Sequence, residues 1–228
     1  MGKWTRRGVL SAGVVGGTGL VIGIAVRPGN PTETAGHLVT GKGENLLHIY
    51  LKIDDQNRAT AILPHSEMGQ GAQTALTQML AEELDADWDL MRFEEAPADG
   101  AYANMALGRG YLFAGVNFPD AVVPTVDGLV LKLADALGMQ ITGGSMSIRS
   151  TGQYFIRAAG AAVREMLVNA ASKAWGVPQD EIRTANSRLY HDTSGRSAPY
   201  SEFAAAAARV TPSSTPKLKK TGQFTVMG

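Results

Sequence analysis

The segment that most restricts the fold of this chain spans residues 59–84 and reads ATAILPHSEMGQGAQTALTQMLAEEL. A short apolar run leads to a glutamine between glycines, and leucines then follow at 76, 80 and 84, on one face of a helix. The pattern predicts a strand, a loop and a helix from about residue 73 to residue 84. The loop fits two interpretations, a turn that only begins a helix or a cradle for an anion, because unpaired N–H groups at a helix start attract negative charge.

Two known nucleotide-binding loops also lie between a strand and a helix, and this segment matches neither well. GQGAQT carries Thr74 where the dinucleotide-binding pattern has its third glycine. The strand before it is predicted to be the second arm of a hairpin, not the first strand of a βαβ unit. A P-loop is excluded because the chain contains no Gly-Lys-Ser/Thr run.

Strands and helices alternate irregularly along the rest of the chain, which predicts an α+β or α/β fold. Residues 45–53 alternate apolar and polar and predict one half-buried strand, residues 59–64 the returning strand, and LMRFEEA at 90–96 a further strand. Helices are predicted near residues 122–138 and 153–174. Residues 97–120 are rich in glycine, alanine and asparagine and predict a long irregular segment. The sequence TSGR predicts a turn between a strand and a final alanine-rich helix.

A second loop, TGGSMSIRS at residues 142–150, presents the same two alternatives as the first. Its glycines and serines supply N–H and hydroxyl groups and Arg149 supplies a cation, so it could bind phosphate or be a simple turn. Glu82 and Glu83 are neighbours on the predicted helix, and we expect them to face solvent. His65 is expected to be a structural or exposed histidine, not a ligand.

The composition removes several classes of function. The chain has no cysteine and four histidines, so disulfides, thiolate metal sites and iron–sulfur clusters are excluded within it, and a histidine-rich metal site is not expected. Lys plus Arg equals Asp plus Glu, at 21 each, and this balance gives no support for a nucleic-acid surface. A redox metal would have to be held by something other than the usual protein ligands.

The two ends of the chain differ from its middle. Residues 1–27 carry Arg6 and Arg7 before a charge-free run from 8 to 26, which predicts a twin-arginine export signal or a membrane anchor and a periplasmic location. Residues 28–44 are rich in Pro, Gly and Thr and predict a linker. Residues 45–210 form the predicted domain. Residues 211–228 are expected to be a connection to missing C-terminal protein, without a packing element of their own.

Three segments together resemble one family. PHSEMGQGAQTALTQMLAEEL, EEAPADGAYAN and the run from TGGSMSIRSTGQYF to SKAWGVP are similar to the N-terminal part of the molybdopterin-binding subunit of xanthine dehydrogenase/aldehyde oxidase-type molybdenum hydroxylases. The branch they most resemble contains the isoquinoline 1-oxidoreductase beta subunit and related membrane-bound aldehyde dehydrogenases. The resemblance covers most of the chain, including the twin-arginine start.

The resemblance implies an α+β molybdenum-cofactor-binding domain, incomplete here, and a molybdenum–molybdopterin cofactor, commonly in the cytosine dinucleotide form. Both loops contact the cofactor in the family, and the matching residues here are Gly69, Gln70 and Gly71 in the first loop, and Gly144, Ser145, Met146 and Ser147 in the second. The dithiolene sulfurs of the pterin would hold the metal, so no protein metal ligand is expected. This agrees with the absence of cysteine.

The family hydroxylates aldehydes or N-heterocycles with water as the oxygen source. It passes electrons to a small [2Fe–2S] subunit and often onward to a cytochrome c subunit. The catalytic glutamate base of the family lies near the C-terminus of subunits several hundred residues longer, so no catalytic residue is assigned here and the 228-residue chain alone is expected to be inactive. The alternative is a non-catalytic exported or membrane-anchored remnant that serves as an interaction module.

Overall fold

The computed structural model describes residues 31–103, 113, 116–119, 122–213 and 215–227; the predicted export signal therefore lies outside the described residues. The helices are α1 (Pro31–Val39), α2 (Ala72–Leu84), α3 (Val123–Ala136), a π-helical segment (Ser147–Ile156), α4 (Arg157–Trp175) and α5 (Tyr200–Ala207). The strands are β1 (Glu44–His48), β2 (Leu51–Asp54), β3 (Ala59–Leu63), β4 (Met91–Glu95), β5 (Arg183–Ala185), β6 (Arg188–His191) and β7 (Arg196–Pro199). The α+β prediction is confirmed. None of the helices in these described ranges is both long and apolar enough to cross a bilayer.

The first sheet has the strand order β1-β2-β3-β4. Residues 45–53, predicted as one strand, form two antiparallel strands, with His48 paired with Leu51 across the turn. The alternation of the sequence is misleading because Ile49, Tyr50 and Leu51 are all buried in succession. The Tyr50 ring packs edge-on against Tyr102 at a centroid distance of 5.9 Å, which explains how a turn residue becomes part of the core.

Strands β3 and β4 are parallel, with Ala59 paired with Met91 and Leu63 with Glu95, and α2 connects them. β3 is also the second arm of an antiparallel hairpin with β2, as the sequence predicts. The expectation that this strand does not begin a βαβ unit is wrong, because β3 belongs both to the hairpin and to a βαβ unit. Because parallel strands end at the same sheet edge, the loop that follows β3 and the segment that follows β4 leave the sheet side by side.

Helix α2 packs closely against α4 at Gly160 and against the π-helical segment at Gly152. A Cβ atom at Gly160 would lie 2.7 Å from the Leu80 carbonyl oxygen, and one at Gly152 would lie 2.3 Å from the Met79 sulfur. The helical region containing α4 begins earlier than predicted, because residues 147–156 form the π-helical segment and not the second half of a loop. This segment places Gly152 against α2.

The second sheet has the order β5-β6-β7, with both pairs antiparallel, and α5 follows its last strand as predicted. Tyr200 at the start of α5 is buried, and its hydroxyl donates to the Leu84 carbonyl oxygen at 2.7 Å. The second sheet is thereby joined to the end of α2.

Both segments that flank the predicted domain pack against it, which the sequence does not predict. Within the segment predicted as a linker, residues 31–39 form α1, and its Val39 carbonyl accepts a hydrogen bond from the buried Lys52 ammonium at 2.8 Å. Within the C-terminal segment, residues 217–227, here called the C-terminal strap, lie against α2 and α4. Glu82 and Glu83 are consequently fully buried and not exposed, because the strap covers them.

Candidate functional site

The two loops singled out in the sequence lie next to each other. Residues 64–71 are called the glutamine loop and residues 140–147 the serine loop. The Ser66 N–H donates to the Thr142 hydroxyl oxygen at 3.1 Å, and His65 Nε2 lies 2.7 Å from the Thr151 hydroxyl oxygen just beyond the serine loop. These two contacts hold the loops together at the edge where β3 and β4 end.

The backbone of the glutamine loop requires glycine at two positions. Gly69 has φ of 87° and Gly71, the N-cap of α2, has φ of 72°, a region that side chains with a Cβ rarely occupy. No atom lies within 4 Å of a Cβ built at either position. The loop therefore presents bare backbone that another molecule can approach closely.

The N–H groups of this loop are already paired. One carboxylate oxygen of Glu67 accepts from the N–H groups of Gly69 and Gly71, both at 2.9 Å, and the other accepts from Gln73 at 3.2 Å. These bonds, led by the one from Gly71, hold the pKa of the Glu67 carboxyl below its usual range. Glu67 is exposed and acts as an anion supplied by the chain itself. A phosphate at this position would have to displace it.

Gln70, the predicted pterin contact, braces its own loop. Its side-chain oxygen accepts from the Met68 N–H, and its amide nitrogen donates to the Ser66 carbonyl oxygen at 2.8 Å. Since an amide NH₂ has two hydrogens, one donor position is left after this bond. Gln70 is half-buried, whereas Met68 beside it is 63% exposed.

The four predicted contact residues of the serine loop divide into two exposed and two structural positions. Ser145 and Met146 are exposed. Gly144 takes a left-handed conformation with φ of 50°. Ser147 is fully buried, and its hydroxyl oxygen accepts from the Gly143 N–H at 2.8 Å. Ser147 therefore closes the turn that presents Ser145 and Met146 to solvent.

His65 is a structural residue. It is 2% exposed, and burial lowers its pKa to about 4, although a backbone hydrogen bond to Ile141 partly opposes the shift. The ring is therefore neutral at pH 7 and links the glutamine loop to Thr151. The described part of the chain contains no group of three or more His, Asp or Glu residues that could hold a metal ion.

A pocket of about 300 Å³ lies elsewhere, between the first turns of α2 and strand β4. None of the seven predicted cofactor-binding residues lines it; its walls are Thr74, Thr77, Trp88, Asp89, Met91, Arg92 and Phe93. The paired loops form an open surface, so a ligand bound there needs further protein to enclose it.

The loop surface fits part of a large polar ligand better than a free anion. It offers bare glycine backbone at Gly69, Gly71 and Gly144, one remaining amide hydrogen on Gln70 and the exposed Ser145. The positive end of the α2 dipole is already neutralised by Glu67. These features suit the mixed donor and acceptor edges of a pterin.

Sequence reasoning missed the residues that organise this surface. The Glu67 carboxylate lies at the start of α2 and accepts from the Gln73 N–H, six residues further along the chain. The sequence signal for this role is an acidic residue shortly before a helix, where the helix dipole favours negative charge. Thr142 and Thr151 gave no local signal, because their partners are 76 and 86 residues away.

The chain is similar to curated proteins that are named as an oxidoreductase subunit and as an aldehyde dehydrogenase. It is 33% identical over 162 residues to the isoquinoline 1-oxidoreductase subunit beta of Brevundimonas diminuta, and the match covers 70% of this chain and 17% of that protein. It is 26% identical over 185 residues to a membrane-bound aldehyde dehydrogenase [pyrroloquinoline-quinone] of Gluconacetobacter polyoxogenes, a match that covers 80% of this chain and 19% of that protein. No protein-family profile matches the chain.

The chain belongs to the family of the isoquinoline 1-oxidoreductase beta subunit, as the resemblance of its loops predicts. It spans less than a fifth of the length of the curated relatives that it matches.

Proposed function

We propose that this chain is the cofactor-binding part of a molybdenum hydroxylase large subunit. The whole enzyme would oxidise an aldehyde or an N-heterocycle with water as the oxygen source and pass electrons to a small [2Fe–2S] subunit, and onward to a cytochrome c subunit where one is present. The chain's own role is to bind and orient the cofactor. When bound, a molybdenum–molybdopterin group would supply the redox chemistry at the metal.

The observation that carries this proposal is the contact between the glutamine loop and the serine loop. The Ser66–Thr142 hydrogen bond joins two segments that are 76 residues apart in sequence and that were each predicted to contact the same cofactor. If each loop were only a local turn, nothing would require them to meet. In open sheets, ligands bind beyond the carboxyl ends of parallel strands, and both loops lie at such an edge.

Within this surface the chain's residues have separate roles. Gly69 and Gly71 allow a ligand to approach the backbone, and Gln70 offers its remaining amide hydrogen to an acceptor on the pterin. Ser145 and Met146 would contact the same ligand from the other side. Glu67 holds the loop in shape before the ligand arrives.

The identity of the cofactor is tested on the complete native subunit, purified with its partner subunits from molybdate-fed cells. We expect about one molybdenum per subunit by elemental analysis, together with a pterin and a cytosine nucleotide released by acid. The name of the Gluconacetobacter relative includes pyrroloquinoline quinone, so the same extract is assayed for that quinone. A preparation without molybdenum and pterin, with or without the quinone, would refute the proposal.

The contact through Gln70 is tested separately with Gln70→Ala in the complete subunit. We expect a lower molybdenum content in a subunit that remains folded, with a melting temperature only slightly lowered by the loss of the two hydrogen bonds within the loop. Gln73→Ala is the matched control, because the Gln73 side-chain amide donates to the Glu95 carboxylate at 3.1 Å and Gln73 is not one of the seven predicted cofactor-binding residues. Equal molybdenum content and turnover in the Gln70 variant and the wild type would remove Gln70 from the site.

A non-catalytic interaction module, exported or membrane-anchored, is the second candidate. The observation that favours it is Glu67, which satisfies the loop N–H groups without any ligand. A complete subunit that binds its partner subunits but contains no cofactor would support this candidate.

The location follows from the same proposal. Residues 1–27 would direct the folded, cofactor-loaded protein through the twin-arginine route to the periplasm or to the periplasmic face of the inner membrane. Replacement of Arg6 and Arg7 by Lys in the complete subunit should retain the protein in the cytoplasm, as measured by cell fractionation. Unchanged export of this variant would exclude the route.

A further inference from the structure

The C-terminal strap is held by a buried carboxylate on α2. One oxygen of Glu82 accepts from three successive N–H groups, those of Thr225, Val226 and Met227, at 2.8, 2.6 and 3.0 Å. The other oxygen accepts from the Lys219 ammonium at 2.8 Å. Glu82 is fully buried, so these are the bonds that compensate for its removal from water.

The neighbouring carboxylate connects the strap to α4. Glu83, also fully buried, accepts from the Lys219 N–H at 2.9 Å and from Arg157 Nε at 2.8 Å. Arg157 in turn donates to the Lys219 carbonyl oxygen at 2.9 Å, and its guanidinium lies 5.2 Å from the centre of the Phe224 ring. Strap, α2 and α4 thus share one network of charges and hydrogen bonds.

A further contact anchors the beginning of the strap. Arg164 of α4 donates to the Lys217 carbonyl oxygen at 2.9 Å, and the Lys217 N–H donates to Glu165 at 2.8 Å. Both contacts are exposed, whereas those of Glu82 and Glu83 are not. The buried pair is therefore the principal anchor.

The helices joined by this network also carry the two loops. Helix α2 begins directly after the glutamine loop and contains Glu82 and Glu83 in its last turn. Arg157 is the first residue of α4 and directly follows the π-helical segment, which begins at the end of the serine loop. Gly152 in that segment packs against Leu76 and Met79 of α2. The strap and the loops are thus at opposite ends of one packed unit.

We propose that the C-terminal strap is a clamp that fixes the relative position of the two loops, and that Glu82 and Glu83 are positioning residues for them. Releasing the strap would remove its donors from Glu82 and leave Glu83 with Arg157. With the strap no longer bridging α2 and α4, the two helices would be free to separate at Arg157. The π-helical segment would move with α4 and would withdraw the serine loop from Ser66. The link between this clamp and a cofactor rests on the proposed function. The clamp itself is independent of that proposal.

Amide hydrogen exchange on the 228-residue chain tests the clamp without any cofactor. The variant is Glu82→Gln, which keeps the size of the side chain and removes its charge. We expect exchange at least about tenfold faster at residues 225–227 and also at residues 142–152, with β3 unchanged, since loss of about 1.4 kcal/mol of local stability corresponds to tenfold. Glu165→Gln is the matched control, because Glu165 binds the strap only at its exposed start.

Each other outcome would overturn the proposal. Faster exchange at 225–227 alone would show that the strap is not coupled to the loops. Equal acceleration throughout the chain would show that Glu82 serves the fold as a whole. Should Glu82→Gln not fold, Lys219→Met removes the ammonium that binds Glu82, and also Asp85, from the strap side, and it must give the same two accelerated segments. A clamp confirmed in a subunit without molybdenum would leave this inference standing and refute only the proposed cofactor.

Discussion

The Ser66 N–H donates to the Thr142 hydroxyl oxygen at 3.1 Å and thereby connects the loops that follow β3 and α3. Thr142→Val keeps the shape of the side chain and removes the acceptor. We expect a loss of about 1 kcal/mol in the free energy of unfolding and faster exchange of the Ser66 amide. Thr125→Val, at an exposed position on α3, is the control and should change neither. An unchanged Ser66 exchange rate in the Thr142 variant would contradict the contact.

Glu67 is expected to titrate below the usual range of a glutamate. The N–H groups of Gly71, Gln73 and Gly69 stabilise its charged form, so its contribution to the loop is present at neutral pH and is lost as the pH falls through its lowered pKa. The amide resonances of Gly69 and Gly71 should report that titration by NMR. These two amide resonances should no longer report the titration in Glu67→Gln, and they should still report it in the control variant Glu95→Gln. A Glu67 pKa at or above 4.5, its usual value, would contradict the bonding.

Gly160 allows α2 and α4 to approach closely, and Gly160→Ala should destabilise the protein by about 2 kcal/mol. The added Cβ would lie 2.7 Å from the Leu80 carbonyl oxygen and 2.9 Å from Glu83 Cβ, so the helices would have to separate. Gly128→Ala on α3 is the matched control, because nothing lies within 4 Å of its Cβ position. It should stabilise the helix by about 0.5 to 1 kcal/mol. Denaturant unfolding measures the free energy of unfolding of both variants. Equal free energies for Gly160→Ala and Gly128→Ala would contradict close packing at Gly160.

The stability of the protein should fall in mild acid partly because of His65. Its native pKa is about 4, against 6.5 for the ordinary side chain, because burial disfavours the charged ring. Between these two pH values the unfolded chain binds a proton that the native chain does not. The contribution of His65 is therefore fully present above pH 6.5 and declines as the pH falls, by at most about 1.4 kcal/mol per pH unit.

His65→Asn should flatten this dependence when the free energy of unfolding is measured from pH 7 to pH 4. His48, whose pKa burial also lowers to about 4, retains its own share in that variant. Thr125→Val, at an exposed position without a titratable group, provides the control and should leave the wild-type slope in place. A His65→Asn slope equal to that of the wild type would show that His65 is not buried as a neutral ring.

The sequence predicts elements best where one local rule determines them. The leucines at 76, 80 and 84 predict α2 nearly to the residue, and all three are fully buried. The alternation over residues 45–53 fails because Tyr50 is buried by Tyr102, a contact across 52 positions that no local pattern contains. The start of the π-helical segment was missed for a related reason, since its Gly152 is required by the approach of α2.

The residues of the site likewise divide into those that a local pattern predicts and those that depend on long-range contacts. Left-handed glycines at 69, 71 and 144 mark both loops, and glycine is the residue that a sequence reader can assign to such backbone. The burial of Glu82 and Glu83 could not be predicted from α2, because their partners lie between 74 and 145 residues further along the chain. Charged residues are usually exposed unless paired, and the pairing here is entirely long-range. The cofactor-binding roles of the seven loop residues remain predictions.

The position of the strap also has a consequence for the order of assembly during synthesis. Glu82 and Glu83 leave the ribosome more than 130 residues before Lys219 and Met227, at 5–20 residues per second, so α2 exists for roughly ten seconds before its carboxylates gain these partners. During that interval the carboxylates remain hydrated and the two helices have no clamp. This helix pair therefore completes its packing only when residues 217–227 have been translated, and a nascent chain stalled before residue 217 would keep the pair open to chaperones.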